Sequence, residues 1–237
     1  EFSTASVKEV PSKGSPYAYW AEKKFKTVHT IAELNDLCTS LKKARIFACD
    51  TETSTGRPLE STCVGISFAI NEDTVWYLPF AHKTIEQQLD KETVLAHLAP
   101  LFTDPTVKSV MHHAKFDLLV LFHTQMATEQ LAFDTLIAAR LLLPDWQKIS
   151  LKQLSADLLD EQMLTFDEIV SKERVNDFSN VSLSEATLYS GADARQTLKL
   201  YHLFENQLHE KGLASLYYNI ELPLVLLLYE IEKEGIY

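Results

Sequence analysis

The stretch IFACDTE at residues 46–52 leads an apolar segment directly into an Asp-x-Glu pair, and it decides the fold prediction. A short apolar run of this kind is typical of a buried strand. Alternate residues of a strand point to one face, so the carboxylates of Asp50 and Glu52 should emerge side by side. A solvated surface strand would not be so apolar. We therefore predict a functional pair of carboxylates at the end of a buried strand.

The same Asp-x-Glu spacing recurs at Asp90 and Glu92, which shows that the spacing alone is a weak signal in an acidic chain. No apolar strand leads into this second pair. We predict that it begins a helix, because acidic residues are favourable near the positive end of the helix dipole.

The segments around residues 46–52 predict a mixed sheet. Apolar runs at residues 64–70 and 75–78, joined by the polar turn NED at 71–73, predict two antiparallel neighbours of the first strand. A helix around 92–102 and a strand at 107–111 follow, and apolar residues spaced three and four apart predict helices at 115–123, 133–142, 151–159 and 183–208. This order predicts an α/β fold, a mixed sheet with antiparallel first three strands, covered by helices.

The two ends of the chain differ from this central part. Residues 1–25 are rich in Ser, Lys, Pro and Gly and predict a linker. Residues 213–237 contain LPLVLLLY at 222–229, which is too short for a membrane helix and too apolar to face water. This tail either packs on the same domain or begins a neighbouring one. We favour the second interpretation and place the domain at 26–212.

Composition limits the possible partners. The net charge is −11, from 33 acidic and 22 basic residues, which argues against tight, unaided binding to duplex DNA. Either nucleic acid is not the substrate, or part of the acidic charge belongs to a site neutralised by cations. No apolar run predicts a membrane span and no secretion signal is visible. Cys38, Cys49 and Cys63 lack metal-ligand spacing, which favours reduced thiols and a cytoplasmic location.

Three further polar positions complete the candidate site. Asp117 stands early in a strongly apolar predicted helix, where an exposed acid favouring the helix dipole is the better interpretation if it is taken alone. Tyr189 and Asp193 are four apart on a predicted helix and share one face. Phosphodiester hydrolysis by two divalent cations needs several converging carboxylates, and hard oxygen ligands suit Mg²⁺ or Mn²⁺.

The order of these motifs carries more weight than any one of them. Asp-x-Glu on a strand, Asp at a helix start and Tyr-x-x-x-Asp on a late helix together resemble the three exonuclease motifs of the DEDD superfamily, tyrosine subclass. The resemblance implies a ribonuclease H-like fold. Over roughly residues 26–237 the chain is similar to the proofreading domain of bacterial DNA polymerase I, in FACDTET at 47–53, VGISFA at 64–69, FDT at 133–135, LTFDEI at 164–169 and NIELPL at 219–224.

The resemblance implies a 3′→5′ exonuclease that releases 5′-mononucleotides from single-stranded DNA or a frayed primer 3′ end, with a polymerase domain in the same parent chain. Asp50, Glu52 and Asp193 would hold the first cation, and Asp50 with Asp117 would bind or support the second. Tyr189 and Glu52 would orient the attacking water. A phenol with an ordinary pKa of about 10 is protonated at neutral pH, so the tyrosine is expected to position water and not to act as a base.

Three positions are candidates for binding the substrate. Phe166 matches a site where the family places an aromatic ring near the terminal base, although a core phenylalanine is equally compatible with the pattern. His113 stands where the family usually has Asn, and it either donates to the substrate or is a capping or exposed imidazole. Leu59 follows Gly56-Arg57-Pro58 and is the candidate replacement, displaced in register, for a leucine that wedges between the last bases.

Two alternative functions remain open. One is a catalytically weak module that only supports a polymerase domain, which the presence of all four acids and the tyrosine disfavours. The other is an RNA-trimming exonuclease of the ribonuclease D type, which the polymerase-like tail disfavours.

Overall fold

A computed structural model describes residues 16–54, 57–58 and 60–236. Six strands form one sheet: β1 (Lys26–Thr27), β2 (Ile46–Thr53), β3 (Cys63–Asn71), β4 (Thr74–Pro79), β5 (Lys108–Met111) and β6 (Leu131–Asp134). They lie in the order β1-β4-β3-β2-β5-β6. β2, β3 and β4 are antiparallel neighbours, whereas β1 pairs with β4, β5 with β2 and β6 with β5 in parallel. The predicted mixed sheet with its three antiparallel strands is confirmed.

Helices surround this sheet: α1 (Pro16–Ala21), α2 (Ile31–Ala44), α3 (Lys91–Phe102), α4 (Ala114–His123), α5 (Thr135–Leu142), α6 (Leu151–Leu159), α7 (Phe166–Glu173), α8 (Leu183–Glu210), α9 (Ala214–Leu216) and α10 (Leu222–Lys233). The 28-residue α8 packs across β2, β3 and β4. Of the helices that the structure describes, none is by itself both long and apolar enough to cross a membrane. α8 and residues 214–233 together have the required length and apolar composition, but the chain bends by 116° between them.

The segment before α5 differs from the prediction. Residues 133–142 were predicted as one helix, but the helix begins at Thr135 and residues 131–134 form β6. In β6 the side chains of Leu131 and Phe133 are buried on one face. A strand of this length is too short to show a period of two, so the helical spacing that follows masked it. β1, α2 and α7 were not predicted either, although capping boxes mark the starts of α2 (Thr30 and Glu33) and of α7 (Thr165 and Glu168).

Residues 16–25 differ from the predicted linker, whereas residues 1–15 lie outside the described part. Trp20 in α1 is fully buried, and its indole N–H donates to the Gln162 carbonyl at 2.7 Å. Phe25 packs so closely on α8 that a Cβ at Gly191 would lie 2.5 Å from its ring. The linker was predicted from the Ser, Lys, Pro and Gly content of residues 1–25, but Trp20 belongs to the core and Phe25 packs against it.

The tail beyond residue 212 packs on the domain along one side only. Tyr217 is fully buried, and its ring centroid lies 4.6 Å from that of Phe133. α10 packs against α4 and buries Val225 and Tyr229, while Leu224 and Leu227 on its other side are 42% and 56% exposed. The domain boundary at 212 stays a prediction, since the tail combines features of both interpretations.

Asp134 joins the starts of two helices. Its carboxylate accepts backbone N–H bonds from His113 and Ala114 at the start of α4, and from Leu136 and Ile137 at the start of α5, at 2.8–3.4 Å. The first N–H groups of a helix have no partner within the helix, so a single buried carboxylate satisfies both ends. The FDT stretch is thereby explained by structure.

We expect Asp134→Ala to lower the free energy of unfolding by about 2–4 kcal/mol, because each lost cap costs about 0.5–2 kcal/mol and buried donors stay unsatisfied. Thermal and urea unfolding measure the loss. Asp90→Ala is the matched control, since the exposed Asp90 carboxylate caps α3 alone. Equal losses in the two variants would show that Asp134 does not serve both helices.

Candidate active site

Three of the predicted acids meet beside α8. Asp50 and Glu52 lie on one face of β2, opposite Ser67 and Gly65 of β3. Asp193 reaches them from α8, and one carboxylate oxygen of each of the three lies within 4.8 Å of the others. Residues separated by more than a hundred positions in the chain therefore form one cluster, as the order of the motifs predicted.

Close packing of β3 and β4 helps to seat Glu52. Gly65 pairs with Glu52 in the sheet, and a Cβ at Gly65 would lie 2.3 Å from the Tyr77 hydroxyl. Only glycine leaves room for this ring. The Tyr77 hydroxyl in turn shares a hydrogen bond with His82 Nε2 at 2.6 Å. Glu52 Oε1 accepts a 2.7 Å hydrogen bond from the Ser190 hydroxyl of α8, which fixes the carboxylate between sheet and helix.

Asp117 belongs to the same region but not to the three-acid cluster. Its Oδ1 accepts hydrogen bonds from the Thr51 backbone N–H at 2.9 Å and from the Thr51 hydroxyl at 2.7 Å. Thr51 alternates with Asp50 and Glu52 along β2, so Asp117 contacts the strand from the side of α4. Asp117 is only 3% exposed, which excludes the interpretation as a solvated helix-dipole acid.

The four carboxyl groups disfavour one another's charge. Burial, followed by the Asp117 and Asp193 carboxylates, raises the pKa of Asp50 well above its usual range. Burial and then Asp193 raise the pKa of Glu52 to about 8, and burial raises that of Asp117 to about 7 against the two Thr51 hydrogen bonds. Burial also raises the pKa of Asp193. A positive charge bound among these acids would stabilise their charged forms and lower their pKa values.

The donor set fits a divalent cation. It consists only of carboxylate oxygens, which are the hard ligands that Mg²⁺, Mn²⁺ and Ca²⁺ prefer. The three-acid cluster of Asp50, Glu52 and Asp193 can hold such an ion, and the mutual repulsion of these acids makes binding favourable.

Tyr189 lies one turn before Asp193 on α8 and is 9% exposed. Burial, followed by the carboxylates of Asp193 and Glu52, raises its pKa well above the ordinary value. The phenol is therefore neutral. It can orient a polar group by hydrogen bonding, but it cannot remove a proton at neutral pH.

The predicted substrate residues have separate locations. Phe166 begins α7 and is 43% exposed, so it is not a core residue, and it stacks on Phe178 with ring centroids 6.4 Å apart. Phe178 in turn lies 5.5 Å from the Tyr189 ring. His113 is exposed at the start of α4, in a left-handed conformation and without a side-chain cap bond. Leu59 lies outside the described residues, as does Gly56.

No role was predicted for Lys152, Ser190 or Thr51, although each contacts a predicted site residue. Lys152 Nζ donates to Asp193 Oδ1 at 2.6 Å and lies 4.1 Å from the centroid of the Tyr189 ring. One signal was available, because a cation in the first turn of a helix is unfavourable by itself and indicates a nearby acid. Ser190 and Thr51 carry no comparable signal beyond adjacency to the motifs.

Comparison with known proteins agrees with this geometry. A family model for 3′–5′ exonucleases matches residues 25–209. DNA polymerase I of Chloroflexus aurantiacus is 38% identical over 213 residues, which are 88% of this chain and 22% of the relative. DNA polymerase I of Borreliella burgdorferi is 32% identical over 214 residues, which are 90% and 23%. The chain thus spans less than a quarter of the length of these relatives.

Solved structures share the fold at low identity. The POL domain of Pol1 from M. smegmatis has a TM-score of 0.68 at 18% identity, covering 88% of this chain and 32% of that one. Brucella melitensis NrnC with bound Mg²⁺ has a TM-score of 0.63 at 18% identity, covering 89% and 92%. Escherichia coli RNase D has a TM-score of 0.63 at 16% identity, covering 90% and 51%. These structures confirm the predicted ribonuclease H-like fold. The family match and the relatives show that the chain belongs to the 3′–5′ exonuclease family of DNA polymerase I.

Proposed function

We propose that this domain hydrolyses the terminal phosphodiester of single-stranded or frayed DNA 3′ ends, releasing 5′-mononucleotides, as the proofreading part of a DNA polymerase I. The observation that carries the proposal is the meeting of half-buried Asp50 with buried Glu52 and Asp193 in one cluster next to Tyr189. A module that only supports its neighbour would have no need to keep mutually repelling acids together, because their burial costs stability.

Two divalent cations, Mg²⁺ or Mn²⁺, are the proposed cofactors. Asp50, Glu52 and Asp193 would hold one, and Asp50 with Asp117 would bind or support the other. When bound, such cations polarise water for attack on a phosphodiester and neutralise the charge that develops on it. Thr51 keeps Asp117 oriented through two hydrogen bonds, and the Ser190 hydroxyl does the same for Glu52.

Tyr189 and Glu52 are proposed to orient the attacking water. The raised pKa of Tyr189 keeps its hydroxyl protonated, so the residue can donate one hydrogen bond and accept another while remaining neutral. When protonated, the Glu52 carboxyl group also carries an O–H donor, whereas in its charged form it only accepts hydrogen bonds. A bound cation would favour that form, since a nearby positive charge lowers the pKa of a carboxyl group.

Phe166 is proposed to stack on the terminal base of the strand. Its exposed ring stacks on Phe178, and the Phe178 ring contacts that of Tyr189, which supports the proposal. We expect Phe166→Ala to raise KM for single-stranded DNA by roughly 5- to 150-fold, because a base–aromatic stack is worth about 1–3 kcal/mol. Thermal unfolding should change little, since the ring is partly exposed. An unchanged KM would remove Phe166 from the substrate site.

A polymerase domain in the same parent chain is the proposed partner of the tail. The exposed side of α10 carries Leu224, Leu227 and Leu228, whose exposed fractions are 42%, 56% and 40%. Clustered exposed leucines of this kind are typical of an interface. The relatives are DNA polymerases I several times longer than this chain, which supports the assignment. A cytoplasmic location stays a prediction.

Incubation with 3′-labelled single-stranded DNA, with Mg²⁺ or Mn²⁺ and with EDTA in parallel, tests the proposed function. We expect release of labelled 5′-mononucleotide only when a cation is present. An RNA strand of the same sequence is the comparison substrate. Absence of cation-dependent release from folded protein would overturn the exonuclease proposal, and a strong preference for RNA would overturn the assignment of DNA.

A further inference from the structure

Lys152 is a cation placed between two residues of the candidate site. It is the second residue of α6, and its ammonium group donates to Asp193 Oδ1 at 2.6 Å. The same group lies over the Tyr189 ring, 4.1 Å from the centroid. Its side chain is 27% exposed and that of Asp193 is 10% exposed, so water screens the pair only partly.

Local structure does not explain this position. A lysine in the first turn of a helix faces the positive end of the helix dipole, which is unfavourable. The site compensates for that cost, because the ammonium donates a charged hydrogen bond to Asp193 and makes a cation–π contact with Tyr189. Lys152 therefore supplies positive charge to a cluster of acids that otherwise repel one another.

The Asp193 carboxylate can bind two positive groups, a divalent cation and the Lys152 ammonium. It belongs to the three-acid cluster that fits a divalent cation, and it is also the acceptor for Lys152. A cation at the cluster would weaken the attraction between Lys152 and Asp193, and the ammonium in turn repels the cation. Two positive charges this close to one carboxylate oppose each other's binding.

We propose that Lys152 is a resident counter-cation that competes with the divalent cation for Asp193, and so sets the cation concentration at which the domain becomes active. This inference rests on the proposed cation-dependent function. Lys152 acts through Asp193 and Tyr189, which makes it a positioning residue.

A purely structural role predicts the opposite sign. If Lys152 only held Asp193 in place, its loss would let the carboxylate move and would weaken cation binding. If it competes, its loss tightens cation binding. The direction of the change in affinity therefore distinguishes the two roles, independently of catalysis.

Titration of free Mn²⁺ by electron paramagnetic resonance, without substrate, tests the inference. We expect Lys152→Met to bind Mn²⁺ about fivefold or more tightly than the wild type. Lys152→Arg keeps the unit of positive charge and should stay within about twofold of the wild type. Lys43→Met, at an exposed position near the end of α2, removes the same unit of charge far from the site and should leave the affinity unchanged.

Lys152→Gln serves as the second variant if the Met variant does not fold, because glutamine keeps a hydrogen-bond donor and removes only the charge. It should shift the Mn²⁺ affinity in the same direction. A wild-type protein that binds no Mn²⁺ would overturn the proposed function itself. Wild-type binding with equal or weaker binding in the Met and Gln variants would overturn the role of Lys152 alone.

Discussion

Asp50→Ala is expected to lose nearly all cation-dependent cleavage while unfolding at the same temperature as the wild type or a higher one. Cleavage is lost because Asp50 belongs both to the three-acid cluster and to the proposed second cation site with Asp117. Cation stabilisation of a reacting phosphodiester is worth several kcal/mol, so the rate should fall by at least about 10³-fold.

Most mutations lower the free energy of unfolding, whereas Asp50→Ala is expected to leave it unchanged or to raise it. The raised pKa of Asp50 means that the folded protein disfavours the charged carboxylate, first through burial and then through Asp117, Asp193 and Glu52. Removing the group therefore removes repulsion at neutral pH. Each kcal/mol gained would raise the midpoint of thermal unfolding by roughly 2–4 °C in a chain of this size.

The second Asp-x-Glu pair, Asp90 and Glu92, supplies the control for Asp50→Ala. Asp90 has the same Asp-x-Glu context but caps α3 at an exposed position. Asp90→Ala should keep wild-type cleavage and unfold at a lower temperature, so the two variants should differ in both readouts. An Asp50→Ala protein that cleaves DNA at the wild-type rate would remove this residue from the active site.

In EDTA, the midpoint of thermal unfolding is expected to fall between pH 6.5 and pH 8. The pKa of Glu52 is raised to about 8 and that of Asp117 to about 7, whereas the unfolded chain has ordinary values of about 4. Within this window the folded state binds more protons than the unfolded state. Stability is therefore lost as the pH rises, by up to about 1.4 kcal/mol per pH unit for each group.

The lower limit of this window is set by a histidine. Burial lowers the pKa of His112 to about 3, so below about pH 6.5 the unfolded chain gains a proton that the folded protein does not bind. That contribution destabilises the fold as the pH falls, which opposes the effect of the two acids. At pH 6.5 about half of the unfolded imidazole is still protonated, and this opposing contribution disappears by about pH 8, where the imidazole is neutral in both states.

Differential scanning fluorimetry at pH 6.5, 7.25 and 8 measures the effect, with and without Mg²⁺. Mg²⁺ binds the charged carboxylates, so the decline should disappear in its presence. Glu52→Gln should flatten the profile in EDTA, and Glu129→Gln, an exposed matched change, should not. A wild-type profile that is flat in EDTA would show that the acids of the site carry ordinary pKa values.

The strands nearest the site could be predicted because their signals are local. β2, β3 and β4 are apolar runs with a polar turn between the last two, and α6 has the bounds that were predicted, Leu151–Leu159. β6 and β1 could not be predicted in this way. They are too short to show a period, and they become strands only because a neighbouring strand provides parallel hydrogen bonds.

The candidate site shows the same division. Asp50, Glu52 and Asp193 could be found because each motif has an internal spacing and the three motifs have a fixed order. Lys152 and Ser190 could not, because their importance lies in contacts across the fold with Asp193 and Glu52. The exact relation of Asp117 to the cluster also depends on tertiary structure, since its partner Thr51 lies on another element.

The bond between the tail and the FDT stretch determines where this chain can be shortened. Tyr217 accepts from the Asp134 backbone N–H at 2.7 Å and donates to the Asp134 carbonyl at 3.0 Å. Truncation after residue 212 would leave the backbone N–H and carbonyl of Asp134 without these hydrogen-bond partners, at a cost of about 1–3 kcal/mol for each buried group. Asp134 also anchors the helix that bears Asp117, so a nuclease fragment that keeps its catalytic geometry has to extend through Tyr217.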